Sequence, residues 1–139
     1  MLLAFVVYTL LISTAVVVHY EILHLLSVNI PRLSIHSRLR VVIGVFGTLV
    51  AHIIEIWLFG IAYYLLITHG NFGTLQGNID GQLLDYVYFS FSTYTSLGIG
   101  DIEPLGNIRF LAGLEALTGL ALITWSASFM FIEMRKSWE

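Results

Sequence analysis

Cysteine is absent from the 139 residues, so disulfides and thiolate metal sites are excluded. Charge is scarce: 11% of residues are Asp, Glu, Lys or Arg, where a soluble domain carries about 25%. Lys and Arg total 6 against 9 Asp and Glu, with no basic stripe, which excludes a nucleic-acid partner. Proline occurs twice, at Pro31 and Pro104. No phosphate loop, nucleophile triad or cofactor fingerprint is present, so neither an enzyme nor a cofactor is expected. What the chain does have is apolar mass: 58% hydrophobic residues and a mean hydropathy of +0.88. That composition implies an all-α integral membrane protein, and the length leaves room for one small domain.

A bilayer core of about 30 Å needs about 20 apolar helical residues. Three stretches qualify. The first covers roughly residues 2–27. It lacks the basic start and small-residue cleavage site of a signal peptide, so it reads as a retained span. Pro31 breaks it. The second covers Val41 to Ile67, and Ser34 or Ser37 is a candidate cap. His69 to Gly81 is polar and glycine-rich and reads as an exposed loop. Gln82 to Thr95 is amphipathic but too short to cross. The third span runs roughly from Asn107 to Phe131.

Arg32, Arg38 and Arg40 lie between spans one and two, and Arg135 and Lys136 follow span three. The positive-inside rule places both regions in the cytoplasm. The N-terminus and residues 69–107 then lie outside. Asp80, Asp85, Asp101 and Glu103 make that outer region acidic and would concentrate cations there.

A segment that enters and leaves on one side must satisfy its backbone within protein or around an aqueous path. Thr95–Ser96–Leu97–Gly98–Ile99–Gly100–Asp101 follows the short helix. Alternating glycines permit backbone angles that turn successive carbonyls the same way. Carbonyl rings of this kind replace the water shell of a cation. The preceding helix points its partly negative C-terminal end at the strip.

From Tyr88 to Asp101 the sequence resembles the pore helix and signature filter of tetrameric potassium channels, especially the two-pore-domain and small bacterial kinds. The likeness extends from about Asp85 to Phe131. Gly98, Gly100 and Asp101 match the family pattern; Ser96, Leu97 and Ile99 stand at its threonine, valine and tyrosine places. Pro104 falls where the family often has a proline. Gly119 falls near its inner-helix hinge glycine, and Ala116, Leu120, Ile123 and Ala127 near its cavity face. The resemblance implies a passive cation channel, with potassium held by the backbone carbonyls of Ser96, Leu97, Gly98 and Ile99. It also implies a homotetramer in a bilayer, expected to be a bacterial inner membrane. Residues 1–35 would be an added span and turn, and residues 36–139 the pore domain. Leu97 and Ile99 are expected to pack behind the strip. No regulatory domain is expected after span three.

Ionisable groups inside a membrane are costly and mark function by default. His19, Glu21 and His24 fall near the inner interface, where snorkelling explains them. His52 and Glu55 share a face at i, i+3. They suit a structural hydrogen-bonded pair or a proton or metal sensor. A turn centred near residues 32–33 would put His52 level with Ser13 or Thr14, out of reach of His19. Glu115 is expected to look sideways, toward the pore helix or span two. His52, Glu55, Glu115 and Gly119 are the gating candidates, with a change of protonation as the expected trigger. Trp57, Tyr63, Tyr64, Tyr86 and Tyr88 read as packing or interfacial aromatics. Thr124, Ser126 and Ser128 should bond to their own helix backbone. Gly44, Gly47, Gly113 and Ala116 permit close helix contact. The alternatives are a non-selective channel, a metal-site protein built on His19, Glu21, His24, His52 and Glu55, or a non-conducting subunit with a pore-like fold.

Overall fold

The computed structural model describes residues 2–138. Its elements are α1 (Leu2–Asn29), a 3-10 turn (Ile30–Arg32), α2 (Ser37–Thr68), β1 (Gly73–Gly77), α3 (Leu83–Tyr94), β2 (Ile102–Gly106) and α4 (Ile108–Trp138). Helices α1, α2 and α4 are long and apolar enough to cross a membrane. At 1.5 Å per residue, the 12-residue α3 reaches about 18 Å, little more than half the hydrocarbon thickness. The chain is a helical membrane protein with three spanning helices and one short helix between the second and third.

α1 and α2 are apolar nearly all round, as helices facing lipid on one side and protein on the other must be. Pro31 ends α1 in the 3-10 turn, as expected. α2 begins directly after His36, so His36 occupies the cap position assigned above to a serine. The register of α1 on α2 also differs from the simple turn count. A methyl group added at Gly44 would meet Ile30 at 3.3 Å, and one at Gly47 would run into Leu26. His19 meets Glu55. All three pairings centre near residue 37, not 32–33. The connection over 30–36 lets the first turns of α2 run beyond the end of α1. A residue about nine positions further along α2, Glu55, is thereby brought to the level of His19.

The core lies where α2, α3 and α4 meet, around Phe59, Tyr63, Tyr94, Ile108 and Leu111, all fully buried. Gly60 lets α3 sit directly on α2, since a methyl there would fall 2.8 Å from the Val87 Cα. The N-terminal part of α1 is tied down by the Tyr8 hydroxyl, which donates to the Asn107 carbonyl at 3.2 Å. The start of α1 therefore lies on the same side as the 69–107 region. Gly113 faces open space, so the close contact expected of it is not made within the chain.

The segment read as a loop before α3 contains a strand. β1 pairs antiparallel with β2, Gly73 opposite Gly106 and Gly77 opposite Ile102. Pro104 lies opposite Leu75 in this two-stranded ribbon, where both strands are edges and a missing donor is tolerated. The ribbon clamps the far end of the strip: the Asn78 amide donates to the Asp101 carbonyl at 3.0 Å.

Candidate functional site

The short helix starts where the sequence placed it. Gln82 is its N-cap, and an oxygen of Asp85 accepts the amides of both Gln82 and Asp80 at 3.0 Å. Asp85 is thus engaged in starting α3, not only in setting the charge of the outer region. The helix ends at Tyr94, with Thr95 as its C-cap. Its C-terminal dipole end points at the strip.

Within the strip, Ser96, Gly98 and Gly100 have φ of 57°, 60° and 84°. Leu97 and Ile99 between them do not. The backbone therefore alternates between left-handed and ordinary conformations, residue by residue. Glycine takes the left-handed values at little cost; Ser96 takes one as an L-residue. Amides of the strip turn back onto α3. Gly98 N–H donates to the Ser92 carbonyl at 3.2 Å, and Ile99 N–H donates to Ser92 Oγ at 3.1 Å. Ser96 N–H donates to the Thr93 carbonyl at 3.0 Å. At the far end of the strip the Tyr88 hydroxyl donates to Asp101 at 3.0 Å. Tyr88 is therefore a strut, not a packing aromatic. Ser92 was not foreseen. Its only signal is a small hydroxyl on the buried face of α3, six and seven residues before the amides it receives.

Leu97 and Ile99 do not pack behind the strip within the chain: they are 68% and 54% exposed. Beside them runs an open groove of about 350 Å³, lined by Phe89, Ser92, Gly98, Pro104, Ala112 and Ala116 among others. Leu120, Ile123 and Ala127 of α4 are exposed as well.

Two polar clusters brace α3 from behind. In the first, the Tyr63 hydroxyl donates to Glu115 at 2.6 Å, and Ser90 Oγ lies 2.5 Å from the other Glu115 oxygen and 2.9 Å from the Ile56 carbonyl. Glu115 looks sideways as expected, and Tyr63 is its hydrogen-bond partner as well as a packing residue. In the second, His19, fully buried, reaches Glu55 Oε1 at 2.8 Å through Nδ1. The placement of His19 at the interface is thereby corrected. His52 Nδ1 lies 3.3 Å from Glu55 Oε2 and 2.9 Å from the Tyr94 hydroxyl, which donates to Glu55. Ser126 Oγ touches both rings, 3.3 Å from His19 Nε2 and 3.0 Å from His52 Nε2. Thr124 and Ser128 bond back to their own helix, but Ser126 does not follow them. Glu21 and His24 stay outside on the exposed face, His24 stacked on Tyr20.

Gly119 is buried for a reason other than bending. A methyl group there would run into the carbonyl of Tyr94. α4 thus rests directly on the last residue of α3, one position before Thr95 and the strip.

A family model described as "Ion channel" matches residues 39–136. The chain belongs to this ion channel family. The match takes in nearly all of α2, α3, the strip and nearly all of α4, and so includes the stretch from about Asp85 to Phe131 that carries the resemblance to potassium channel pore domains. Neither a comparison with curated proteins nor one with solved structures finds a match. The channel is a membrane protein, and α1 up to the first residues of α2 lies outside the matched region.

Proposed function

We propose that the channel conducts cations passively, with potassium preferred over sodium, through the strip Thr95–Asp101 of four identical chains arranged around one axis. The observation that carries this reading is the alternation of backbone hand at Ser96, Gly98 and Gly100, with the amides of Gly98 and Ile99 held by Ser92. Such a backbone can present successive carbonyl oxygens to one line, the arrangement that replaces the hydration shell of an ion. One strip supplies one side of such a path. A closed cyclic assembly supplies the rest. The exposed Leu97 and Ile99 and the open groove beside the strip are the surfaces a neighbouring copy would cover.

In this reading Ser96, Leu97, Gly98 and Ile99 hold the permeant ion by their carbonyls, and Asp101 and Glu103 enrich cations at the mouth. Residues 36–139 form the pore unit and residues 1–35 an added helix and turn. Arg32, Arg38, Arg40, Arg135 and Lys136 face the cytoplasm, and the start of α1 lies outside. His52, Glu55, Glu115 and Gly119 act on opening through Tyr94 and Ser90, and none of them touches the ion.

The test is the reversal potential of the purified protein in a planar bilayer under opposed potassium and sodium gradients. A reversal near the potassium equilibrium potential is expected. A reversal midway between the two would replace this reading with a non-selective cation channel, and no current in either salt would remove conduction from it.

A further inference from the structure

The cluster behind Tyr94 has more polar atoms than hydrogens to join them. His19, His52 and Tyr94 surround the Glu55 carboxylate, Ser126 lies at the far nitrogens of both rings, and each of these four side chains contributes a single N–H or O–H when the rings are neutral. The hydrogen of Tyr94 goes to Glu55. Ser126 faces both Nε2 atoms with one hydrogen. If both rings donate to Ser126 Oγ, both Nδ1 lone pairs point at carboxylate oxygens. If His19 donates to Glu55 instead and accepts from Ser126, His52 is left with one nitrogen against an oxygen and no hydrogen between them. With Glu55 ionised, both rings neutral and Tyr94 donating to Glu55, every arrangement leaves one ring nitrogen facing the cluster unpaired, and one further proton, or a cation in its place, completes the set.

We propose that His19, His52 and Glu55 form a binding site for a divalent transition-metal ion of the zinc type, buried between α1, α2 and α4. One atom from each of the three residues lies within 4.8 Å of the others. Tetrahedral zinc with bonds of about 2.0–2.1 Å separates its ligands by roughly 3.3 Å, so the side chains need shift by only about an ångström. Two imidazoles and a carboxylate are a recognised donor set for zinc, and the absence of cysteine removes thiolate competition. Ser126 completes the arrangement. Its oxygen has two lone pairs and accepts the Nε2–H of both rings, turning both Nδ1 atoms toward Glu55 and the ion. Hydrogen bonding of this kind at the far ring nitrogen orients metal-bound histidines. The ion fills the position where lone pairs otherwise oppose each other. The His52 side chain keeps 14% exposure, which leaves the site open on one side. Glu21 and His24, on the exposed face of α1, take no part.

The site adjoins the strip. Tyr94 donates to Glu55, ends α3 and carries Gly119 on its carbonyl. A bound ion therefore fixes the residue from which the strip starts. This consequence rests on the conduction reading; metal binding itself does not.

The experiment uses the purified full chain in detergent, stripped with chelator and titrated with Co²⁺ and then Zn²⁺. The expected result is visible absorption bands of tetrahedral Co²⁺ at about one ion per chain, displaced by Zn²⁺. Glu55→Gln and His19→Gln should abolish the bands, Ser126→Ala should weaken Co²⁺ binding by about 10–100-fold, and Glu21→Gln should leave it unchanged. Wild-type protein lacking tetrahedral bands overturns the proposal whatever the variants do, and so does a folded Glu55→Gln protein that binds like the parent. Ion flux in liposomes is then compared with and without Zn²⁺ in wild type and Ser126→Ala. A change confined to wild type supports the link to Tyr94, and equal flux in all four samples overturns that link while the cobalt spectrum still decides the site.

Discussion

Ser92 joins one turn of α3 to two successive amides of the strip, by its carbonyl to Gly98 and by its hydroxyl to Ile99. Ser92→Ala keeps the first bond and removes the second. A lost hydrogen bond of this sort costs about 0.5–1.5 kcal/mol, too little to unfold the chain but enough to loosen the alternation at Ile99. The expected outcome is a folded protein whose reversal potential moves toward the sodium value, read in the same bilayer experiment. Gly119 calls for a different expectation. Its place in the sequence suits a hinge, but its neighbour is the backbone carbonyl of Tyr94, which cannot swing aside as a side chain would. Gly119→Ala should therefore lower the midpoint of thermal unfolding in detergent, by an overpacking cost of about 1–3 kcal/mol. A mere loss of bending would leave that midpoint unchanged. The left-handed backbone at Gly98 and Gly100 was legible because their type and spacing are unusual. His19 was not, because a histidine near the end of an apolar run looks the same whether it snorkels or is buried. Only the register of α1 on α2 separates the two.

Among the elements, α3 was legible to within a residue, since an amphipathic stretch bounded by Gly81 and by Gly98 leaves little latitude. β1 was hidden. Five residues with glycine at both ends carry too little alternation to be told from a loop, and their partner strand lies beyond α3. The register of α1 against α2 was misjudged for a related reason: seven residues without α-helix, 30–36, can climb as well as turn. α3 depends on Asp85, whose carboxylate takes two amides at the helix start. Asp85→Ala exposes both and removes a negative charge from the positive end of the dipole. The expected cost is about 0.5–2 kcal/mol, seen as a lower unfolding midpoint. Asp85→Asn, which keeps an acceptor oxygen, should recover most of it. If the charge at the mouth were the main role of Asp85, both variants would instead keep the parental midpoint and lower conductance alike.

At the scale of the whole molecule, the proposed assembly of four copies accounts for a surface that a single chain leaves open. Apolar side chains on α1, α2 and α4 can meet lipid, but Leu97 and Ile99 cannot be accounted for that way. They lie on the strip itself, where the amides of Ser96, Gly98 and Ile99 are tied back to α3, and they stand exposed beside an open groove. Strip backbone at membrane depth needs protein or an aqueous path on every side. In the proposed assembly a neighbouring copy would supply protein against Leu97 and Ile99 while leaving the carbonyl line free. Burying the 68%-exposed Leu97 would contribute about 1.5–3 kcal/mol per chain, and a closed ring gains it at every interface. Placing a carboxylate there should cost more than the lost contact, because each charge would be desolvated without a partner. Leu97→Glu is therefore expected to shift the detergent-solubilised protein from four times its 15.6 kDa chain mass to smaller species in analytical ultracentrifugation. The helices of the separated chains should persist in circular dichroism, since Leu97 supports nothing in the chain that bears it. Leu97→Val, shorter but still apolar, should assemble as the parent does. A Leu97→Glu protein that sediments as a full tetramer would mean that the strip does not meet its neighbour through this residue.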